Sequence, residues 1–425
     1  MSSKTKTTAI KDEATPVGVP KLRFPEFRET EGWKSIPLNR LAIRAKQKNR
    51  DEKIDRVLTN SAEFGVLDQR DFFDKDIATQ GKLDGYFVVE LGSYVYNPRI
   101  SSTAPVGPIS KNKIGTGVMS PLYTVFKFKD CRDEFYEHFF KTTGWHAYMR
   151  QASSTGARHD RMAISSVDFM AMPLPVPSPT EQQKIAECLS SVDELIAAQA
   201  RKVDALKTHK KGLMQQLFPR KGETRPRLRF PEFQNDGEWV TEPLAQLANY
   251  ENGKAYEKDI AENGKYVVVN SRFISTDGAV RKHTNADYLI AKTGEVLMVL
   301  SDLPKGKALA KCYFVEADDR YAVNQRVCRL KPTRIDGKFL YYILNRHPHL
   351  LAYDDGLNQT HLSRGGVTEC PLCVPLEKAE QQRIASCLSS LDALITAETQ
   401  KLEALKIHKK GLMQQLFPSA EVLEA

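Results

Sequence analysis

The 425-residue chain has no apolar run of about 18 residues, which argues against a membrane-spanning helix. Cysteine is sparse: seven residues, at positions 131, 188, 312, 328, 370, 373 and 387. An odd number scattered through a large chain fits reduced thiols in a cytoplasm and not a disulfide framework. Cys370-Pro371-Leu372-Cys373 has no second pair at zinc spacing, and Pro175 stands where Cys373 would recur, so no metal site is expected. Nucleotide-binding loops are also missing: Lys305-Gly306-Lys307-Ala308 lacks the upstream glycine and the Ser/Thr of a P-loop. No helix-turn-helix pattern stands out. Residues 1–19 carry Lys4, Lys6 and Lys11 among Thr, Ala and Pro, without the apolar centre of a signal peptide. They read as a disordered tail.

Against these absences stand a net charge of +9, which points weakly to a polyanionic partner, and a long internal repeat. Leu22-Arg23-Phe24-Pro25-Glu26-Phe27 recurs as Leu228-Arg229-Phe230-Pro231-Glu232-Phe233, followed in both copies by a Trp (Trp33, Trp239), a Pro-Leu and a Leu-Ala. A second block, Glu181 to Pro219, matches Glu380 to Pro418 at 28 of 39 positions. Between the blocks, residues 46–171 and 253–369 share almost nothing. A unit of about 200 residues is too long for a solenoid repeat, so the chain reads as one domain plan used twice with divergent interiors.

In the second block, apolar residues alternate at intervals of four and three: Ile185, Leu189, Val192, Ile196, Val203, Leu206, Leu213 and Leu217. Gln199 and Lys210 fill the two gaps. The later copy runs Ile384, Leu388, Leu391, Ile395, Leu402, Leu405, Leu412 and Leu416, with Glu398 and Lys409 in the gaps. This is a coiled-coil seam. Ser178-Pro179-Thr180-Glu181 supplies a start signal of the capping-box type, whereas Glu377-Lys378-Ala379-Glu380 is a poorer cap expected to fray. The simplest pairing is antiparallel, the copies related by a pseudo-twofold axis with one globular domain at each end. About 37 helical residues reach ~55 Å, or ~46 Å if Gly212 ends the helix as a C-cap after Lys210-Lys211. A continuing helix would instead use Gly212 and Gly411 for close approach of a partner. At the rise of B-DNA these lengths span ~13 to 16 base pairs. The apolar Leu-Met-Gln-Gln-Leu-Phe tails call for a partner.

Both interiors carry short β-prone runs broken by Gly, Asn, Asp and Ser: 86–96, 123–128, 266–270, 294–300 and 327–330. Helices are expected over 134–150 and 338–346. The fold class is therefore α+β: two globular domains with curved mixed sheets, each followed by a long helix. The boundaries are 20–177 and 228–376 for the domains, 178–219 and 377–418 for the helices, 220–227 for a linker and 419–425 for a tail. Loop residues able to read bases or hold phosphate are, in the first domain, Arg99, Ser101, Ser102, Thr103, Lys111, Lys113, Arg158, His159 and Arg161. In the second they are Asn270, Ser271, Arg272, Lys305, Lys307, Asn324, Gln325, Arg326, Asn358, Gln359 and His361. Arg can bond guanine twice and Asn or Gln adenine twice, while Lys and Ser more often hold phosphate.

The paired Leu-Arg-Phe-Pro-Glu-Phe openings, the paired Glu-Gln-Gln helices and the closing segments Met172-Pro173-Leu174-Pro175-Val176-Pro177 and Cys370-Pro371-Leu372-Cys373-Val374-Pro375 together resemble the specificity subunits of Type I restriction-modification enzymes, over residues 20–418. Asn358 to Ser363 also looks like a recurring turn of such target recognition domains, and Asp160 to Ser165 stands at its place in the first domain. The resemblance implies that each domain reads half of a split DNA site and that the helices set the gap. It implies that they also dock two copies of a modification subunit, which methylates adenine N6 using S-adenosylmethionine held in that subunit. A motor-nuclease subunit would add cleavage, and the location would be a prokaryotic cytoplasm. No catalysis is expected of the chain alone: Asn97-Pro98-Arg99-Ile100 lacks the second Pro and the aromatic of an adenine methyltransferase loop. A double-module DNA-binding scaffold or regulator outside restriction-modification is the alternative.

Overall fold

A computed structural model describes residues 15–51, 53–72, 83–155, 160–303 and 306–418. The chain divides into two compact units, one made of residues 1–199 with 401–425 and the other of 200–400. The division cuts both long helices, Pro179–Leu217 and Lys378–Leu416. Each unit thus contains the first half of one helix and the second half of the other.

In the first unit the main sheet is antiparallel, ordered Ala42–Arg44, Thr124–Phe128, Tyr94–Tyr96, Ile109–Lys111. The expected strand over 86–96 is two strands, Phe87–Val89 and Tyr94–Tyr96, separated by a turn in which Gly92 takes a positive φ of 83°. The helix expected over 134–150 is likewise two, Glu134–Phe139 and His146–Ala152. Aromatic side chains fill the space between this sheet and its helices: Trp33, Tyr94, Phe126, Phe128, Phe135, Phe139, Trp145 and Phe169 are all buried. Thr15–Val17, assigned to a tail by composition, pairs as a strand with Trp33–Pro37, which pairs in turn with Pro173–Val176. Backbone pairing outweighs the polar composition there.

The second unit repeats the main sheet: Ala248–Asn252, Val327–Pro332, Val296–Val299, Cys312–Phe314. Its core is more aliphatic, built on Trp239, Leu244, Val296, Met298, Leu330, Phe339 and Leu340. A second sheet, His283–Thr284, Tyr266–Val269, Tyr321–Val323, Ile290–Ala291, contains the parallel pair Tyr266–Val269 with Tyr321–Val323. That pairing makes this sheet mixed.

Within each unit the two helix halves run antiparallel. In the second unit Lys202 pairs with Glu398 and Lys210 with Asp392, so one index rises as the other falls. In the first, Lys409 pairs with Asp193 while Leu416 joins Ile185 and Leu189 in the core. Lys210 and Lys409, which break the apolar spacing, are thus satisfied by aspartates of the facing helix. Gly212 and Gly411 neither end the helices nor admit a close neighbour. Each helix continues to Leu217 or Leu416, and a Cβ at either glycine would meet nothing within 4 Å among the described residues. At 39 residues each helix is ~58 Å long.

The apolar tails find their partner inside the same unit. The Phe417 ring packs at a tilt against Phe135 and Phe139, and the Phe218 ring packs edge-on to Trp239 and at a tilt against Phe339. The later helix also starts more firmly than its sequence implies. Gln381 donates to the carbonyl of Pro375 at 2.9 Å and accepts from the amide of Asp336 at 2.8 Å, which ties the start of the helix to the domain. In the earlier helix Ser178 caps the amide of Glu181 at 3.3 Å, but the Glu181 carboxylate turns to Arg23 instead of closing a capping box.

Candidate nucleic-acid interface

Two polar surfaces grow from the ends of the main-sheet strands. In the second unit, the strand Val296–Val299 runs on into Ser301–Asp302, which pairs antiparallel with Thr360–His361. Beside this ladder, Asn270 caps the short helix Ser271–Ser275 by accepting the amide of Phe273 at 2.9 Å. Asn324 turns the chain ahead of the strand Val327–Pro332. Three loops far apart in sequence thereby meet in an open cleft of about 490 Å³ lined by Ser271, Arg272, Ser275, Ser301, Asp302, Leu303, Ala308, Arg326 and Gln359.

The cleft side chains differ in how firmly they are held. Gln359 donates through Nε2 to the Ser301 hydroxyl at 3.0 Å, and Ser301 is buried. The Asp302 carboxylate accepts the amides of Leu303, Ala308 and Leu309 at 2.9, 2.6 and 3.2 Å, so it organises the following loop. A Cβ on Gly306 would lie 2.0 Å from Asp302 Oδ2, which explains a glycine there. The Ser271 hydroxyl oxygen is buried and, among the described residues, lacks a hydrogen-bond partner. Among the described residues, the guanidinium groups of Arg272 and Arg326 make no hydrogen bond or ion pair, though Glu257 feels the charge of Arg326.

Other candidates of this unit serve the loops themselves. Asn324 is buried, donates to Glu257 at 3.1 Å and accepts from the amide of Arg326 at 3.3 Å. Its bond holds the Glu257 carboxyl below the usual range. Gln325 shares the same carboxylate at 3.3 Å. Asn358 folds onto Asp355 at 3.2 Å. Lys307 is exposed, its carbonyl accepting from Arg346 at 2.6 Å, and His361 is exposed on the ladder.

In the first unit the matching ladder is the bridge between Arg99 and Arg161. Met162 donates to the carbonyl of Pro98 at 2.9 Å as Leu362 does to that of Leu300 at 2.8 Å. This register sets Arg161 opposite Arg99 as His361 is opposite Ser301. The alignment of Asp160–Ser165 with Asn358–Ser363 is thus shifted by two residues at this point, although Ser165 and Ser363 both cap the helices that follow. Arg99 is exposed, and Arg161 lies 3.9 Å from Asp160. Ser101, Ser102 and Thr103 form an exposed turn in which the Ser101 hydroxyl accepts the amide of Ala104 at 3.1 Å and lies 3.1 Å from that of Thr103. Lys111 and Lys113 are turned elsewhere. Lys111 Nζ bonds Asp133 at 2.5 Å and Glu134 at 3.3 Å, and Lys113 bonds Glu137 at 2.8 Å. Arg158, His159 and Lys305 lie outside the described residues.

Sequence reading missed Ser301, Asp302 and Ser275. Their one signal is position: Ser301 and Asp302 immediately follow a strand that the β-prone run 294–300 already marks. As for the paired cysteines, Cys370 is buried, its thiol pushed up to about 12 by burial, with its sulfur 3.5 Å from His347 Nδ1. Among the described residues no cluster of three His, Cys, Asp or Glu side chains could hold a metal, and no helix is long and apolar enough to cross a membrane.

Residues 236–406 match the family model of the Type I restriction modification DNA specificity domain. The chain is 25% identical over 335 residues to the specificity subunit of the Type I restriction enzyme MjaVIII of Methanocaldococcus jannaschii, covering 75% of this chain and 73% of that protein. Its fold is similar to that of the S subunit of a type I restriction-modification system from M. genitalium, with a TM-score of 0.57 at 14% identity over 94% of this chain and 99% of that one. A further similar chain comes from a structure concerned with complex assembly and conformational transition of the type I R-M system, with a TM-score of 0.53 at 15% identity over 92% and 98%.

Proposed function

We propose, for a chain that belongs to the Type I restriction-modification specificity subunits, that each unit reads a different half of a split duplex site without catalysing any reaction itself. The observation that carries this reading is a common frame with unlike reading surfaces. The main sheets have the same strand order, yet the same ladder carries Arg99 and Arg161 in one unit and, in the other, His361 with a buried Ser301 that holds Gln359. Identical frames position loops equivalently, and unlike side chains present different hydrogen-bonding patterns to base edges.

The paired helices act as the spacer. Lysine–aspartate pairs within each unit oppose register slip, because shifting one helix would leave half-buried charges unpartnered. The helices also offer matching exposed apolar positions, Leu195 and Leu394, for two copies of a modification subunit. That partner would carry S-adenosylmethionine and the methyl-transfer chemistry to adenine N6, and a motor-nuclease subunit would join it for cleavage in the prokaryotic cytoplasm.

The test is exchange of residues 46–171 for the corresponding segment of another specificity subunit, followed by sequencing of methylated sites in cells that also express the modification subunit. One half of the target should change and the other stay. Change in both halves would end the modular reading.

A further inference from the structure

The contrast between anchored and unanchored side chains in the cleft of the second unit divides their labour, and this inference rests on the proposed half-site reading. We infer that Gln359 reads an adenine in the half-site of the second unit, that Ser301 is its positioning residue, and that Arg272 and Arg326 hold the flanking phosphates.

Recognition of adenine by an amide needs one N–H aimed at N7 and the carbonyl aimed at the N6 amino group. A freely rotating glutamine would have to be ordered on binding, at a cost in side-chain entropy. Here the Gln359 Nε2 donates one hydrogen to Ser301 at 3.0 Å. The second N–H and the carbonyl oxygen are left for a ligand, and the bond to Ser301 limits how far the amide can turn. Ser301 can hold that orientation because it is buried and its neighbour Asp302 is tied to three backbone amides. Thr360, next to Gln359, is held by Asp354 at 3.3 Å, which steadies the strand that presents the amide.

The two arginines lack such ordering, since among the described residues no acceptor fixes the plane of either guanidinium. Forking guanine fixes the plane of the guanidinium, at a cost in side-chain entropy when nothing holds it beforehand, whereas contact with a phosphate tolerates many orientations. Their positions on the wall of the cleft beside Gln359 suit the backbone flanking the base being read. The unpartnered Ser271 hydroxyl on the same wall is a further donor for a phosphate oxygen.

The experiment uses the full chain assembled with its modification subunit. Methylated-site sequencing defines the target, and binding to duplexes of that sequence is measured over a salt series. Gln359→Ala should relax the preference for adenine at a single position of one half-site by on the order of 10-fold or more, leaving the other half unchanged. Ser301→Ala should relax the same position, and Ser301→Thr, which retains the hydroxyl, should restore it. Replacing that adenine by 7-deazaadenine should weaken the wild type and not Gln359→Ala. Arg272→Gln and Arg326→Gln should weaken all sequences alike and each lower the salt slope by about one. Unchanged base preference in Gln359→Ala, or a single-base effect of either arginine, overturns the inference. Those outcomes leave the half-site reading standing if domain exchange still alters one half alone; if domain exchange fails as well, both fall.

Discussion

Arg23 and Glu181, 158 positions apart, form a buried two-pronged ion pair, with Nε and Nη2 donating to the two carboxylate oxygens at 2.7 and 2.8 Å. Arg229 and Glu380 do the same at 2.8 and 2.7 Å. The guanidinium also donates to backbone carbonyls, of Thr30 and Glu31 in one unit and of Asp236 and Gly237 in the other. The two repeated sequence blocks are therefore halves of one device, which fastens the opening of each domain to the start of the helix that follows it. Arg23→Met strands the fully buried Glu181 carboxylate and should destabilise the first unit by about 3 kcal/mol or more in denaturant titration. Arg23→Met combined with Glu181→Leu should recover most of that loss, because no buried charge is left alone.

The helix pair should behave as a ruler. A seven-residue insertion in one helix alone should disrupt Lys210–Asp392 and Lys409–Asp193 and abolish assembly. The same insertion in both should lengthen the gap between half-sites, as read by methylated-site sequencing. An unchanged gap in the double insertion would sink the spacer role.

Arg99 and Lys111 should separate cleanly. Arg99→Ala removes an exposed cation from the reading ladder and should relax one position of one half-site, at ~1 to 3 kcal/mol if a guanine pair is lost. A uniform loss over all sequences would reassign Arg99 to phosphate. Lys111→Ala breaks the pair with Asp133 and should lower the stability of the first unit without altering base preference, a contrast visible by comparing melting curves with methylation patterns.

Acid should weaken the first unit through His138. Its Nε2 lies 3.2 Å from the Ser190 hydroxyl, Nδ1 is buried without a partner among the described residues, and burial, with help from Lys141 and Lys409, pushes its pKa down to about 4 against the opposing pull of Glu137 and Asp193. The unfolded chain binds a proton near pH 6.5 and the folded chain does not until about 4. The stability this provides is complete above the unfolded value and is lost as pH falls from about 6.5 towards 4, by on the order of 3 kcal/mol. His138→Gln should flatten that segment of the pH–stability profile; an unaltered slope would show that other groups dominate.

The seam was legible in the sequence because a heptad period is a local property: neighbours three and four residues apart lie on one face whatever else the chain does. Most of the expected strands were legible for the same reason. The ends of the helices were not. A glycine after two lysines has the composition of a C-cap, but Leu213, Met214, Leu217 and Phe218 pack on the core of the second unit, and that packing carries the helix past Gly212. Residues at the loops were legible only by type. Lys111 and Arg99 look alike as loop cations, and only the position of Asp133 turns one of them inward.

By itself the sequence determined the duplication, the two long helices and the contrast between constant and divergent segments, all of which follow from identity and periodicity along the chain. Tertiary structure decided which distant groups meet: Arg23 with Glu181, Lys409 with Asp193, and Ser301 with Gln359. Those meetings depend on chain segments tens to hundreds of residues apart being held within about 3 Å, and no local propensity encodes them. Burial then gives them weight, since a charge or amide removed from water must find its partner within the fold.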